Sequence, residues 1–225
     1  MGSPHTVIVN LKNYEESTGR NFLTFLRSIN GIEMEKNVRI ILAVNPLDLV
    51  TARRHSSYEI FSQTVDPVPK GSFTGKIPLE SLLEIDVKGS LVNHSENRIA
   101  PEKIDRIMEI SRKFRFEIVL CVESLDEARR YAPLKPDFIA YEPPELIGGD
   151  VSVTSAAPSI ISEVVDACSA SDVKVLVGAG VKNEDDAGKS IDLGAQGVLI
   201  ASGIVKSSDP LKALRGIVHG ITNSS

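Results

Sequence analysis

FEIVLCVESLDEARRYAPLKPDFIAYE, residues 116–142, contains two short apolar runs separated by a charged segment. The runs FEIVLCV (116–122) and DFIAYE (137–142) are nearly continuous in apolar residues, which is typical of strands buried on both faces of a parallel sheet. The segment SLDEARRYA (124–132) between them has the composition and spacing of a helix. Residues 116–142 therefore predict one strand–helix–strand unit.

The same alternation of strand and helix is repeated along the whole chain. Strands are predicted at 6–12, 38–44, 58–63, 90–93, 116–122, 137–142, 173–179 and 197–202, and helices near 19–30, 46–54, 78–85, 101–114, 124–132, 156–169, 183–191 and 211–221. Strict alternation with right-handed crossovers favours a parallel sheet, either a closed barrel or a doubly wound open sheet.

Eight units within 225 residues fit the closed form, and no glycine-rich dinucleotide motif follows the first predicted strand, where Asn10 to Tyr14 stand. We predict an α/β fold, a (β/α)8 barrel of the TIM-barrel type. It forms a single domain over residues 1–225, with no linker. Residues 1–5 are expected to be disordered or to be the remnant of a cloning tag.

The composition argues against some classes of binding partner. The net charge is -5 and the pI is near 5.5, which argues against a nucleic-acid partner. No apolar window of about 18 residues is present, so no membrane partner is expected. The N-terminus lacks the pattern of a signal peptide, and Cys121 and Cys168 fall in different elements. We expect reduced core cysteines and a cytoplasmic location.

Polar residues stand where the predicted strands end. Catalytic side chains of such barrels lie at the C-terminal ends of the strands, because the loops that follow build the site. Strand one ends at Asn10 and Lys12, strand four at His94, and strand six at Glu142. Strands seven and eight end in small-residue turns, Gly-Ala-Gly at 178–180 and Ala-Ser-Gly at 201–203. These groups are expected to converge on one rim of the barrel.

Each group suggests one part of a reaction. Small residues let backbone N–H groups approach an anion, and such barrels often bind phosphate after strands seven and eight. A phosphorylated small molecule is therefore the expected substrate. Lys12 can stabilise negative charge on an oxygen, His94 can donate to a carbonyl, and Glu142 can remove a proton from carbon if water is excluded.

The segment FIAYEPPELIGG (138–149) adds a means of excluding water. Two prolines follow Glu142 and fix φ, whereas Gly148 and Gly149 permit large changes in φ and ψ. A stiff segment with a pivot at each end predicts a lid with Glu142 at its base. An ordinary strand-to-helix loop that begins with a glutamate is the simpler alternative.

Taken together, these residues resemble the triosephosphate isomerase family in its compact archaeal form. The similarity lies in Asn10-Leu11-Lys12, Asn-His-Ser-Glu at 93–96, Tyr-Glu-Pro-Pro at 141–144 and the two small-residue turns, and it extends from strand one to strand eight. The resemblance implies interconversion of dihydroxyacetone phosphate and D-glyceraldehyde 3-phosphate through an enediol(ate), in glycolysis and gluconeogenesis. It implies no metal and no organic cofactor.

The resemblance also implies a role for individual residues. Glu142 would be the base, His94 the neutral electrophile, and Lys12 a group that binds substrate and stabilises the enediolate. The other substrate-binding residues would be Asn10, Leu11, Ile147, Gly148, Gly180, Ala201 and Ser202, and the supporting residues would be Ser95, Glu96 and, across an interface, Thr74.

Residues 63–76, QTVDPVPKGSFTGK, resemble the interdigitating loop of this family. Phe73, Thr74 and Gly75 would reach into a neighbouring subunit and support its Lys12 and His94. A homodimer or homotetramer follows from this resemblance. A long surface loop that packs on its own barrel is the alternative.

The chain departs from the familiar bacterial and eukaryotic members. It has Leu11 where they have tryptophan, no tryptophan anywhere, and Gly180 where they have serine. Two alternative functions stay open: another phosphate-binding barrel enzyme, such as a sugar-phosphate epimerase or an indole-pathway enzyme, and a metabolite-binding barrel without catalysis. Both would leave the combination of Lys12, His94 and Glu142 unexplained.

Overall fold

The computed structural model describes residues 4–31, 37–143, 154 and 158–224. Eight parallel strands form a closed barrel in which each strand pairs with its neighbours in the chain and β8 pairs with β1. The strands are β1 (His5–Asn10), β2 (Val38–Val44), β3 (Glu59–Ser62), β4 (Gly89–Val92), β5 (Glu117–Val122), β6 (Phe138–Tyr141), β7 (Lys174–Val177) and β8 (Gly197–Ile200). The barrel predicted from the sequence is confirmed.

Helices connect the strands and surround them. They are α1 (Phe22–Ile29), α2 (Leu49–His55), α3 (Leu79–Glu84), α4 (Pro101–Phe114), α5 (Leu125–Tyr131), α6 (Pro158–Ser169), α7 (Glu184–Asp192), α8 (Ser202–Val205) and α9 (Pro210–Asn223). The short α8 is an extra helix between β8 and α9. No helix in the described part of the chain is both long and apolar enough to cross a membrane.

Local sequence signals explain where several helices begin. Pro101 and Pro210 stand in the first turns of α4 and α9, where the missing N–H group has no cost. Ser124 accepts a hydrogen bond from the backbone of Glu127 and so caps α5. These caps place the helix starts within one or two residues of the predicted positions.

Several predicted boundaries differ from the structure, and two of them have a clear cause in the backbone. The first strand ends at Asn10 rather than at residue 12, because Lys12 adopts a left-handed backbone conformation with φ 48°. The predicted helix at 19–30 begins at Phe22, because Gly19 has φ 55° and residues 19–21 form a 3₁₀ turn.

The core has two layers, one inside the barrel and one between the strands and the helices. Alternation along each strand selects the layer, because successive side chains point to opposite faces of the sheet. The interior holds Ile8, Ile41, Ala43, Phe61, Leu91, Val119, Cys121, Phe138, Ala140, Leu176 and Leu199, all nearly or fully buried. Asn10 continues the inward series of β1, and Glu142 continues that of β6.

At the N-terminal mouth of the barrel, Arg39 joins three strands. Its guanidinium donates hydrogen bonds to Glu59 of β3, with Nε 2.8 Å from Oε1, and to Glu117 of β5, with Nη1 2.7 Å from Oε2. Burial lowers the pKa of Arg39, but the hydrogen bonds and charges of Glu59 and Glu117 outweigh it and raise the pKa overall. Arg39 therefore carries a positive charge and links β2, β3 and β5 at this end of the barrel.

Candidate active site

Asn10, Lys12, His94 and Glu142 meet at the C-terminal mouth of the barrel. They line a cavity of about 60 Å³ together with Tyr14, Gly178, Ala179, Gly180, Val181, Lys182, Leu199, Ile200, Ala201 and Ser202. Chain segments from β1, β4, β6, β7 and β8 thus contribute to one site. The convergence that strand positions predict is what the structure shows.

Glu142 stands just past the end of β6 and is 3% exposed. Burial raises the pKa of its carboxyl group to about 7, although the Cys121 thiol, the charge of Lys12 and the Ser95 backbone oppose the shift. Its Oε2 has no partner of normal hydrogen-bond geometry in the part of the chain that the structure describes. A carboxylate with this pKa and a free oxygen is suited to accept a proton near neutral pH.

Gly178 makes room for this carboxyl group. A Cβ atom at position 178 would lie 2.5 Å from Cγ of Glu142, well inside van der Waals contact. The first glycine of the Gly-Ala-Gly turn therefore serves the Glu142 side chain as well as the cavity wall.

His94 follows β4 and is held as a neutral ring. The backbone N–H of Glu96 donates to Nδ1 at 3.1 Å, so the ring proton belongs on Nε2. Burial and the charge of Lys12 lower the pKa of His94 to about 4, against the opposing charge of Glu96. Nε2 lies 3.4 Å from Oε1 of Glu142 and 3.4 Å from Nδ2 of Asn10. A neutral N–H donor therefore faces the carboxylate at the cavity.

Lys12 is held by both its backbone and its side chain. The Asn10 Oδ1 atom accepts from the Lys12 N–H at 3.0 Å, and Gln63 Nε2 donates to the Lys12 carbonyl at 3.0 Å. These bonds support the left-handed backbone at this position. The Lys12 ammonium nitrogen lies 2.6 Å from Oε1 of Glu96, and the Lys12 side chain is only 15% exposed. Its charge is thus fixed beside His94 and Glu142.

The opposite wall of the cavity is formed by small residues. Gly180, Ala201 and Ser202 line it, and α8 begins at Ser202. The first N–H groups of a helix lack partners within the helix, so they are available to an oxygen from outside. The two small-residue turns thus meet at one wall of the cavity, with backbone N–H groups of the kind that bind anions.

Three of the predicted site residues, Leu11, Thr74 and Ser95, do not line the cavity. Leu11 is fully buried in the layer between strands and helices, and its side chain does not reach the cavity. The Ser95 hydroxyl is buried without a hydrogen-bond partner among the described residues. Thr74 is exposed on the loop that follows β3. Ile147, Gly148 and most of the predicted lid lie outside the described residues.

A second cavity of about 280 Å³ adjoins the first. It is lined by Asn10, Lys12, Asn13, Asn45, Pro46, Gln63, Thr64, Leu91, His94, Glu96 and Asn97. Lys12 and His94 therefore form part of the wall between two spaces. Next to this second cavity, the side chain of Leu47 is 93% exposed.

Strand ends alone do not predict several residues beside Glu142 and the cavity, including Cys121 and Tyr14. Cys121 of β5 is 1% exposed in the barrel interior, and burial, together with the Glu142 charge, raises the pKa of its thiol well above the usual value. Tyr14 lines the cavity from the loop after β1. The register of β5 and β6, with Cys121 opposite Ala140, would have placed the thiol next to Glu142.

Metal binding has no obvious location in the described ranges. No group of three or more His, Cys, Asp or Glu side chains there is arranged to hold an ion. The site instead brings together the ammonium of Lys12, the neutral imidazole of His94 and the carboxyl group of Glu142, and Lys182 also lines the cavity.

Comparison with known proteins gives the family that this sequence resembles. The model of the triosephosphate isomerase family matches residues 5–219. A protein named triosephosphate isomerase from Thermoplasma volcanium is 52% identical over 213 residues, which are 95% of this chain and 99% of that protein. Proteins of the same name from Methanobrevibacter smithii and Saccharolobus solfataricus are 37% and 35% identical, over 94% and 96% of this chain and 96% and 95% of their own length.

Proposed function

The chain belongs to the triosephosphate isomerase family and is an isomerase, and we propose that it interconverts dihydroxyacetone phosphate and D-glyceraldehyde 3-phosphate. One observation carries the proposal. A buried carboxyl group with a pKa of about 7, on Glu142, faces the protonated nitrogen of the neutral His94 ring at 3.4 Å. A base and a proton donor are thus poised on one cavity, as proton transfer between adjacent carbons requires.

The proposed reaction needs no group beyond these side chains. The Glu142 carboxylate removes a proton from the carbon beside the carbonyl, and the C–H electron pair forms the carbon–carbon double bond of the enediolate. The carbonyl electron pair moves to its oxygen, where His94 Nε2–H and the Lys12 ammonium stabilise the charge. Glu142 then returns its proton to the neighbouring carbon. His94 Nε2 gives its proton to the oxyanion and takes the proton of the other hydroxyl group, which becomes the new carbonyl, so that both side chains are regenerated.

The pKa values suit these roles. A carboxyl group with a pKa of about 7 is partly ionised at neutral pH and is a stronger base than an exposed glutamate. His94, with a pKa of about 4, is neutral at the same pH and acts as a hydrogen-bond donor rather than as a cation. The positive charge next to His94 and Glu142 therefore comes from Lys12 rather than from the imidazole ring.

The phosphate of the substrate is proposed to lie at the wall formed by Gly180, Ala201 and Ser202. Small side chains and the start of α8 leave backbone N–H groups accessible to its oxygens. The resemblance to the family adds the backbone of Ile147 and Gly148 from the lid. Closure of that lid would keep water from the enediolate, which otherwise loses its phosphate.

A coupled assay of glyceraldehyde 3-phosphate isomerisation tests the proposal. Wild-type protein should be active, and Glu142→Asp should lower kcat by about 10²- to 10⁴-fold, the usual contribution of a positioned base. Binding of glycerol 3-phosphate, measured by calorimetry, should change little in this variant. An inactive wild-type protein that still binds glycerol 3-phosphate would instead favour the metabolite-binding barrel. Unchanged kcat in Glu142→Asp would remove Glu142 as the base.

We also propose that the chain works as a homodimer or homotetramer through residues 63–76. Phe73 is 43% exposed on this loop, and the second cavity lies against Lys12 and His94, with the exposed Leu47 next to it. Filling that cavity with the loop tip of a neighbouring subunit would cover apolar surface and support both residues from behind. Thr74 would then lie across the interface from Lys12.

Sedimentation velocity at micromolar concentration measures this association. We expect a dimer or a larger species for the wild type, and a monomer with reduced kcat for Phe73→Asp. Phe114→Asp, a change at another exposed phenylalanine (42% exposed), is the matched control and should leave loop-mediated pairing intact. A wild-type monomer with full activity would contradict the interface.

The cytoplasm is the proposed location. Both cysteines, Cys121 and Cys168, are buried and free, which fits a reducing compartment. Fractionation of cells that contain the native protein, with isomerase activity measured in each fraction, tests this assignment. Activity confined to a membrane or extracellular fraction would contradict it.

A further inference from the structure

A contact between a lysine and an aromatic ring joins the loop after β1 to the phosphate end of the cavity. The Lys206 ammonium lies 4.3 Å from the centroid of the Tyr14 ring, within the distance at which a cation is attracted to a ring face. Tyr14 lines the cavity, and Lys206 is the residue that ends α8. The contact thus links two segments that are far apart in the sequence.

Each partner is fixed to its own segment. The Tyr14 carbonyl accepts hydrogen bonds from the Ser17 N–H at 3.1 Å and from the Thr18 hydroxyl at 2.9 Å, so the loop holds its backbone. The Lys206 N–H donates to the Ser202 carbonyl at 3.0 Å. Movement of Lys206 therefore moves Ser202, a residue of the cavity wall.

The helix α8, which precedes Lys206 in the chain, is too short to be stable without tertiary contacts. α8 has four residues, one turn, and a helix of this length depends on tertiary contacts for its stability. Ile204 and Val205 anchor its inner side in the core, being 0% and 1% exposed. The contact of Lys206 with Tyr14 holds its outer end.

We infer that Tyr14 and Lys206 are positioning residues for the anion-binding wall. Their contact holds α8 against the loop that also carries Lys12, and so keeps the backbone of Ala201 and Ser202 in register with the Lys12 ammonium. The inference rests on the proposed function for the identity of the anion as the substrate phosphate. Neither side chain needs to touch the substrate.

A contact that adds only stability would behave differently, and the chain contains one for comparison. Lys174 lies 5.6 Å from the ring centroid of Phe138 at the opposite mouth of the barrel. Lys174→Met removes the same kind of contact from a place with no access to the cavity. It is the matched control for Lys206→Met, which removes the charge of Lys206 but keeps most of the side-chain length.

The test measures kcat and KM for glyceraldehyde 3-phosphate and the inhibition constant of inorganic phosphate. In Lys206→Met we expect KM and the inhibition constant to rise together by about two- to fivefold, the factor that matches an exposed cation–π contact. We expect kcat to change much less, since loss of phosphate binding affects ground state and transition state alike. Lys206→Arg, which also stacks on aromatic rings, should retain near-wild-type values. Lys174→Met should change neither constant.

A double-mutant cycle assigns the effect to the contact itself. Tyr14→Leu should raise KM by a similar factor, and Tyr14→Leu with Lys206→Met should be no worse than the more affected single variant. Additive effects would overturn the inference, as would Lys206→Met with unchanged KM and phosphate inhibition in an active enzyme. If the wild type is inactive, the proposed function fails separately, and calorimetric binding of inorganic phosphate to the same variants decides the positioning role.

Discussion

The charged groups at the two mouths of the barrel differ in how completely they are hydrogen-bonded. At the N-terminal mouth, Arg39 donates four hydrogen bonds to Glu59 and Glu117. At the C-terminal mouth, Glu142 is more deeply buried, yet one of its oxygens has no hydrogen-bond partner in the described ranges. The backbone of Lys12 is also left-handed there. One set of strands thus ends in a satisfied network at one side and in unsatisfied groups at the other.

The difference separates stability from chemistry. A satisfied ion network holds strands together but offers nothing to a ligand, whereas a buried carboxylate without a full set of partners can accept a proton. Such a group costs folding free energy, and the rest of the fold must supply it. In this barrel β2, β3 and β5 are tied at the N-terminal mouth, so the C-terminal mouth can remain strained.

The largest difference in activity and stability is expected between two glutamate-to-glutamine variants, one at each mouth of the barrel. Glu142→Gln should abolish measurable isomerisation, because the amide cannot act as a base, and should stabilise the protein by about 3 kcal/mol above pH 7, the value of the Glu142 shift from 4.5 to about 7. Chemical denaturation at several pH values measures this gain. Glu117→Gln should instead destabilise the protein and leave kcat intact.

The sign of the pH dependence follows from the raised pKa. A protonated Glu142 is favoured in the folded state, so its stabilising contribution is present below pH 4.5 and is lost as the pH rises through about 7. The stability difference between Glu142→Gln and the wild type should therefore grow across that window. A constant difference from pH 4 to pH 8 would mean that the carboxyl group is not shifted.

A smaller effect is expected at the N-terminal mouth. Arg39→Met leaves two neighbouring carboxylates without their common partner, and we expect a loss of about 2 kcal/mol in the free energy of unfolding. Urea denaturation measures it. The kcat and KM of the folded variant should match the wild type, because the Arg39 network lies at the far end of the barrel. A large fall in kcat would contradict the claim that the N-terminal mouth affects stability but not activity.

The smallest expected effect concerns the acid limb of the pH–rate profile. In the wild type, kcat/KM should fall as the pH drops below about 7, where Glu142 becomes protonated. The charge of Glu96 raises the pKa of Glu142, so Glu96→Gln should move this limb to lower pH by less than about one unit. The substrate phosphate has its own second ionisation at about pH 6, which Glu96→Gln does not affect. An unmoved limb would point to the substrate rather than to Glu142.

The sequence predicts the barrel well because its strands are buried on both faces. Runs such as VRIILAV are recognisable without any tertiary information, and the strand at 38–44 has the predicted bounds. Boundaries were wrong where one residue changes its backbone, as at Lys12 and Gly19, since a left-handed φ leaves little trace in hydrophobic periodicity.

The site could be predicted as far as strand ends determine it. Asn10 and Glu142 continue the inward alternation of β1 and β6, so their place follows from counting along the strand. Roles that depend on contacts between strands could not be read in this way. The support of Lys12 by Gln63 and the contact of Tyr14 with Lys206 join segments that are distant in the sequence. The tautomer of His94 depends on the geometry of the local turn that brings the Glu96 N–H to Nδ1.

The pairing of β1 with β8 has a consequence for the synthesis of this chain. Val7 pairs with Val198 and Ile8 with Leu199, so the first strand of the barrel needs the eighth to close the ring. Until residues 197–200 emerge, one edge of an apolar strand stays open, and open edges are templates for association between nascent chains.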